Sequence, residues 1–126
     1  MSISISVDEA AKQCYIPKMS VQIFVENAFI HGLESISNNK KFSLDAHVTG
    51  DNLIIEICDN GEGFEEELID AINSGSIEDY TKIEGVGIKN VITRLKLYFD
   101  NEFTICVSSV PYEKTQIRLT LPVKHQ

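Results

Sequence analysis

The sequence predicts an α+β fold, a two-layer α/β sandwich in which a mixed, mostly antiparallel sheet carries helices over one face. Two pairs of alternating segments each flank a turn and form hairpins. Two amphipathic helical stretches stand between strands. The coarse order, β, α, β, β, short α, loop, α, β, β, cannot be wound as a parallel sheet, which needs a helical crossover between successive strands.

At residues 2–7 small polar residues alternate with Ile3, Ile5 and Val7, a short edge strand. Ile16-Pro17 opens a helix over residues 18–31, because proline is tolerated in a first turn. Val21, Phe24, Val25 and Ala28 fall at i, i+3, i+4 and i+7, one face of that helix, and Gly32 is placed to stop it. SNNKK, residues 37–41, is a polar turn. Phe42, Leu44, Ala46 and Val48 then alternate with Ser43, Asp45, His47 and Thr49, the period of a half-buried strand. After the turn Gly50-Asp51-Asn52, the strand from Leu53 to Asp59 completes a hairpin.

Residues 65–73, EEELIDAIN, form a short acidic helix whose leading glutamates suit the positive end of its dipole, with Gly75 as the stop. Residues 76–87, SIEDYTKIEGVG, are polar and patternless, the composition of a mobile loop. Ile88, Val91, Ile92, Leu95 and Phe99 mark a second amphipathic helix, ended by Asp100-Asn101. Phe103, Ile105 and Val107 make a strand, SVPYEK a turn, and the alternation of Ile117, Leu119 and Leu121 a final strand.

The totals bound the function. A chain of 126 residues with 43% hydrophobic and 24% charged residues is expected to be one soluble globular domain. Its net charge of −8 argues against nucleic acid, which needs a basic face to release counterions. No apolar run approaches the ~18 residues of a membrane span. The opening MSISISVDEA lacks the form of a signal peptide. Cys14, Cys58 and Cys106 have no CxxC spacing, and are expected to be reduced thiols in a cytosolic setting, packed as small core hydrophobes.

Three short stretches carry chemistry. In CDNGEGF, residues 58–64, alternation puts Asp59 on the face of Leu53, Ile55 and Ile57. A carboxylate at the mouth of a core needs donors, either N–H groups of the following turn or a ligand's amino group. Gly61 and Gly63 permit positive φ and close approach of the backbone to another molecule. In GVGIKN, residues 85–90, Gly85 and Gly87 lie just ahead of a helix start, which attracts phosphate. The segment is no dinucleotide fingerprint, and no P-loop pattern occurs in the chain. In ENAFIHG, residues 26–32, Asn27 and His31 stand four apart on one side of the helix. Asn27 is either a satisfied core amide or a hard-cation ligand through its carbonyl oxygen, and His31 either a cap-type contact or a ligand.

Together, VQIFVENAFIHG, CDNGEGF and GVGIKNVITRL resemble the N, G1 and G2 boxes of the GHKL ATPases, in an order similar to the catalytic domain of sensor histidine kinases of the LytS/YesM type. The resemblance covers nearly the whole chain. It implies a Bergerat-type ATP-binding fold with ATP and Mg²⁺ as cofactors. Asp59 would receive the exocyclic amine of adenine, Gly61 and Gly63 would shape the base pocket, and Thr115 would offer a hydroxyl to it. Asn27 would hold Mg²⁺, and His31 would lie near the phosphates. Gly85, Val86, Gly87 and Ile88 would cradle the phosphate tail, and residues 64–84 would be the ATP lid.

The resemblance also implies transfer of the γ-phosphate to a histidine on a separate helical domain absent from this chain. A response regulator would act downstream. The full-length protein would be a homodimer, with this domain the cytoplasmic portion of a membrane-anchored sensor and itself making no membrane contact. Two departures stand out. Lys114-Thr115 replaces the usual Gly-Thr of the last strand. Ile23 occupies the position, four before Asn27, where hydrolysing relatives carry a glutamate, which favours transfer to a protein acceptor. An anti-sigma-factor-type serine kinase and a non-catalytic nucleotide-binding module are the alternatives.

Overall fold

In a computed structural model of the chain, describing residues 1–16, 20–34 and 36–123, five strands form one sheet. They are β1 (Ser2–Val7), β2 (Lys41–Thr49), β3 (Asn52–Asp59), β4 (Thr104–Val110) and β5 (Lys114–Pro122), in the spatial order β1-β2-β3-β5-β4. β1 pairs parallel to β2, and the other three pairings are antiparallel. This is the mixed, mostly antiparallel sheet expected, with both hairpins and the edge position of β1.

The register follows from side-chain alternation. On β3, Leu53, Ile55, Ile57 and Asp59 are buried and the residues between them are partly exposed. Thr115, Ile117, Leu119 and Leu121 do the same on β5. These faces meet α2 (Ser20–Asn27), α3 (Glu66–Asn73) and α4 (Val86–Phe99). α4 buries Ile88, Val91, Ile92, Leu95 and Phe99, the five positions its periodicity marks. It ends where Asp100 and Asn101 turn left-handed at φ 55° and 66°. Phe24, Leu95 and Leu119, all fully buried, tie helix to helix and helix to sheet.

Several elements differ from expectation. The first helix begins at Ser20 among the described residues, and Pro17 lies outside them. Past Asn27 the helix widens into a π-turn, Ala28–Gly32, closed by Leu33 N–H donating to Ala28 O at 2.8 Å. A one-turn helix α1 (Glu9–Lys12) precedes it, capped by Asp8, whose Oδ1 accepts from Ala11 N–H at 2.7 Å. α4 starts two residues ahead of Ile88.

Residues 76–87 are not patternless. They contain two 3₁₀ turns, Ile77–Asp79 and Ile83–Gly85, and bury Ile77 and Tyr80 in the core. Each such side chain contributes about 1.5–3 kcal/mol of apolar burial, so two anchors hold a segment that polarity alone marks as free. Cys58 and Cys106 also depart from the core reading, whereas Cys14 packs against the core from its edge. All three are free thiols, with Cys106 exposed and Cys14 and Cys58 half-buried.

Candidate functional site

β3 carries Asp59 to the sheet's end, where it is buried beside Thr115, its register partner on β5. Gly61 N–H donates to Asp59 Oδ1 at 2.8 Å. Burial pushes the Asp59 carboxyl above its ordinary range, and the Gly61 hydrogen bond offsets part of that rise. Among the described residues, no lysine or arginine pairs with this carboxylate. Asn60 fixes the strand end, its Oδ1 accepting from Lys41 N–H and its Nδ2 donating to Asn39 O, both at 2.8 Å.

The glycines around Asp59 have distinct reasons. Gly61 does not take positive φ, contrary to one expectation. Its constraint is space, since a Cβ there would fall 2.0 Å from Gly32 O. The close neighbour is this chain's own backbone. Gly63 does need positive φ, at 84°, and a Cβ on it would meet Ser109 Oγ at 2.3 Å. Ser109 Oγ and Thr115 Oγ1 lie 2.8 Å apart, so a hydroxyl pair stands beside the carboxylate. Ser109 had no signal in the sequence beyond its β-register opposite Thr115. Lys114 sits in regular strand with its side chain exposed, and the left-handed turn residue is instead Tyr112 at φ 63°.

Asn27, half-buried at the end of α2, lines a cleft of about 300 Å³. Glu62 and Gly63 of the loop after β3 line it too, with Phe64, Glu65, Leu68 and Glu84 of the following segment. Asp59 does not open into this cleft. It borders a separate depression of about 290 Å³ with Phe42, Asn60 and Lys114. Gly63 is the link, since it lines the cleft while packing on Ser109 and Thr115. About 300 Å³ is the lower limit of small-molecule sites, and four of the cleft's seven lining residues belong to the 64–84 segment. The side chain of His31 lies outside what the structure describes.

Tyr80 joins the two ends of the segment. Its hydroxyl lies 2.9 Å from Glu84 Oε1 and 3.1 Å from Glu65 Oε2, so one O–H proton serves both carboxylates. Burial and these two carboxylates push its phenol far above its ordinary pKa. Lys82 pairs with Glu67 at 3.0 Å and Glu65 at 3.3 Å, and Lys89 Nζ donates to Tyr80 O. The sequence signals none of this network, because its bonded partners lie up to 17 residues apart.

At the start of α4, Gly85 occupies the cap position with no side-chain cap. Its lack of a side chain is explained internally: a Cβ would lie 2.5 Å from Tyr80 Cδ1. Gly87 is different. A Cβ there would be 3.5 Å from Ile23 Cγ2, an ordinary contact, so the fold itself does not require glycine. Ile23 therefore stands against the first turn of α4, beside Gly87.

Comparison with known proteins agrees with this architecture. Residues 18–125 match the family described as histidine kinase-, DNA gyrase B- and HSP90-like ATPase. The chain is 28% identical over 121 residues, 96% of its length, to the sensor protein LytS of Staphylococcus saprophyticus. It is 25% identical over 126 residues to the sensor histidine kinase YesM of Bacillus subtilis. It spans 20% of the length of each of these relatives. Among solved structures, the catalytic domain of the histidine kinase ThkA superposes with a TM-score of 0.67 at 12% identity, covering 97% of this chain and 78% of that one. The mycobacterial sensor histidine kinase MprB superposes with a TM-score of 0.64 at 12% identity, covering 99% and 83%. These structural likenesses establish the two-layer α/β fold.

Proposed function

The chain belongs to the family of histidine kinase-, DNA gyrase B- and HSP90-like ATPases, and on that premise we propose that it is the ATP-binding catalytic domain of a two-component sensor histidine kinase. The γ-phosphate of ATP passes to a histidine on a separate helical domain, and a response regulator receives it downstream. The full-length protein is a homodimer, with this domain on the cytoplasmic side of a membrane-anchored sensor. Among the described residues, no helix is long and apolar enough to cross a membrane.

The observation that carries the proposal is Asp59, a buried carboxylate at a strand end with one backbone donor and no cationic partner among the described residues. Such a group is costly to leave partly satisfied, and an exocyclic amine of adenine supplies the missing donor. Thr115 and the turn at Gly61 and Gly63 flank it. From there the phosphates run toward Asn27, His31 and the first turn of α4 at residues 85–88.

Asn27 fits a hard cation. Its carbonyl oxygen shares a cleft with Glu62, Glu65 and Glu84, and a triphosphate cannot approach three carboxylates without an intervening positive charge. Bound Mg²⁺ neutralises phosphate charge and orients the γ-phosphoryl group for displacement. Residues 64–84 act as the lid, stiffened internally by the Tyr80 network, tied to α4 by Lys89 at the Tyr80 carbonyl, and excluding water when closed. Ile23, an aliphatic side chain beside the helix start, offers a water molecule no base, which favours transfer to protein over hydrolysis.

Calorimetry with MgATP and with Mg-free ATP, followed by transfer from labelled ATP to a histidine-bearing helical domain or to a serine-bearing antagonist, tests the proposal. Metal-dependent binding and acid-labile phosphohistidine are expected. Absence of ATP binding, or phosphate appearing on serine, overturns it.

A further inference from the structure

The face of the sheet turned away from the helices carries a cluster unrelated to the nucleotide site. Asp45 and His47 stand two apart on β2 and project from that face, and Glu56 on β3 is the register partner of Asp45. His47 Nδ1 lies 2.8 Å from Asp45 Oδ2. One ligand atom from each of the three residues lies within 4.8 Å of the others, and all three side chains are half-buried. We propose that Asp45, His47 and Glu56 form a binding site for a divalent transition-metal cation of the zinc class, separate from the Mg²⁺ that accompanies nucleotide.

Charge placement supports this. Like charges directly opposite in an antiparallel ladder destabilise it, yet Asp45 faces Glu56. Arg118 is in register with Glu56 on the other side, but its side chain is exposed. Among the described residues neither carboxylate pairs with a lysine or arginine. A cation held between them removes the repulsion.

Ligand chemistry selects its class. Imidazole with two carboxylates suits zinc and its neighbours, whereas Mg²⁺ and Ca²⁺ take oxygen alone. Metal-to-ligand distances of about 2.0–2.2 Å require the three groups to close in, a movement that side-chain rotation supplies. Glu56 already has the orienting partner that ligating carboxylates carry, since Gln116 Nε2 donates to its Oε2 at 2.8 Å. Paired strands hold all three residues, so the backbone is fixed before metal arrives. Binding through Nδ1 replaces the Asp45–His47 hydrogen bond and releases any proton on that nitrogen.

The test uses the untagged, chelator-stripped chain in millimolar Mg²⁺, titrated with Zn²⁺ by calorimetry and thermal unfolding, and with Co²⁺ by visible absorption. A saturable single site, a rise in the unfolding midpoint and ligand-field bands of Co²⁺ are expected. His47→Ala and Glu56→Gln, both on the solvent side of the sheet, each lower Zn²⁺ affinity by about tenfold or more, since loss of an outer-sphere partner alone costs that much. Either no saturable binding by the parent chain, or Zn²⁺ and Co²⁺ binding that survives both substitutions unchanged, overturns the proposal.

Discussion

Gly61 packs so closely on Gly32 that a Cβ on Gly61 would fall 2.0 Å from the Gly32 carbonyl oxygen. Glu62 N–H donates to that same oxygen at 2.8 Å. Gly32 is bounded in turn by Asp59, whose Oδ1 would meet a Cβ there at 2.9 Å. Two glycines far apart in sequence thus set the spacing between the strand that ends in Asp59 and the helical segment that bears Asn27.

Gly61→Ala should therefore act on stability and Gly87→Ala on binding. At Gly61 the obstacle is backbone, which does not yield like a flexible side chain. A loss of about 2–3 kcal/mol in urea unfolding is expected, the upper part of the range for overpacking. At Gly87 an added methyl makes an ordinary contact with Ile23. Helix propensity then gives about 0.5–1 kcal/mol of extra stability, while the methyl crowds phosphate at the helix start and weakens MgATP binding. Full MgATP affinity in Gly87→Ala, read by calorimetry, removes the phosphate from that position.

Asp59→Asn should lose affinity and gain stability. Replacing a charge-assisted acceptor in a dry pocket is expected to weaken ATP binding by about 2 kcal/mol or more. The stability change has the opposite sign. Burial raises the folded-state pKa of Asp59 above its ordinary value of 3.8, so as pH rises past 3.8 the unfolded chain ionises first and is favoured. The parent chain therefore carries a penalty at neutral pH that vanishes below pH 3.8, where the carboxyl is protonated in both states. Unfolding midpoints of parent and variant should converge in acid and separate toward pH 7, with the variant the more stable.

What was legible in the sequence was local. Alternation from Leu53 to Asp59 placed the carboxylate on the core face, and the spacing from Ile88 to Phe99 named every buried residue of α4. What was hidden rests on contacts between distant residues. The charges around Tyr80 masked it as loop, yet its ring packs on Gly85 and its hydroxyl joins Glu65 to Glu84. Gly61 gave no sign that its partner was Gly32. Asn73 read as the end of a helix, although its side chain exchanges hydrogen bonds of 2.7 and 2.8 Å with the backbone of Val107 and covers the edge of β4. The short helix α1 leaves no mark in the sequence, because four residues are too few for a period to appear.

Tyr80→Phe should loosen residues 64–84, the proposed lid, without dissolving the core. The ring stays, and the O–H shared between two carboxylates goes. A local loss of about 1–2 kcal/mol is expected, after discounting for the exposure of both glutamates. Amide exchange should quicken across residues 76–85 and stay unchanged in β3 and β5. Because the folded-state phenol pKa is raised, its contribution is complete below the ordinary value of 10.0 and fades only as pH climbs toward the folded value. Parent and variant should thus differ equally at pH 6 and pH 9. Identical exchange in the two proteins would show that Tyr80 latches nothing.

Ile23→Glu asks whether the missing base is what directs phosphate to protein. Ile23 stands beside Gly87, within ordinary contact of the first turn of α4, where the proposed ATP site would hold the phosphate tail. The parent chain with MgATP should release phosphate near the uncatalysed rate, since an aliphatic side chain takes no proton. On the proposed path of the triphosphate, a carboxylate at this half-buried position would stand within reach of water at the terminal phosphoryl group. Positioned general bases typically contribute 10²–10⁴-fold, and a gain of about a hundredfold in phosphate release is expected, with ATP affinity little changed. Release that stays at background while calorimetry still records MgATP binding would mean the terminal phosphate lies away from this helix face, and the direction assigned to the triphosphate would have to be reversed.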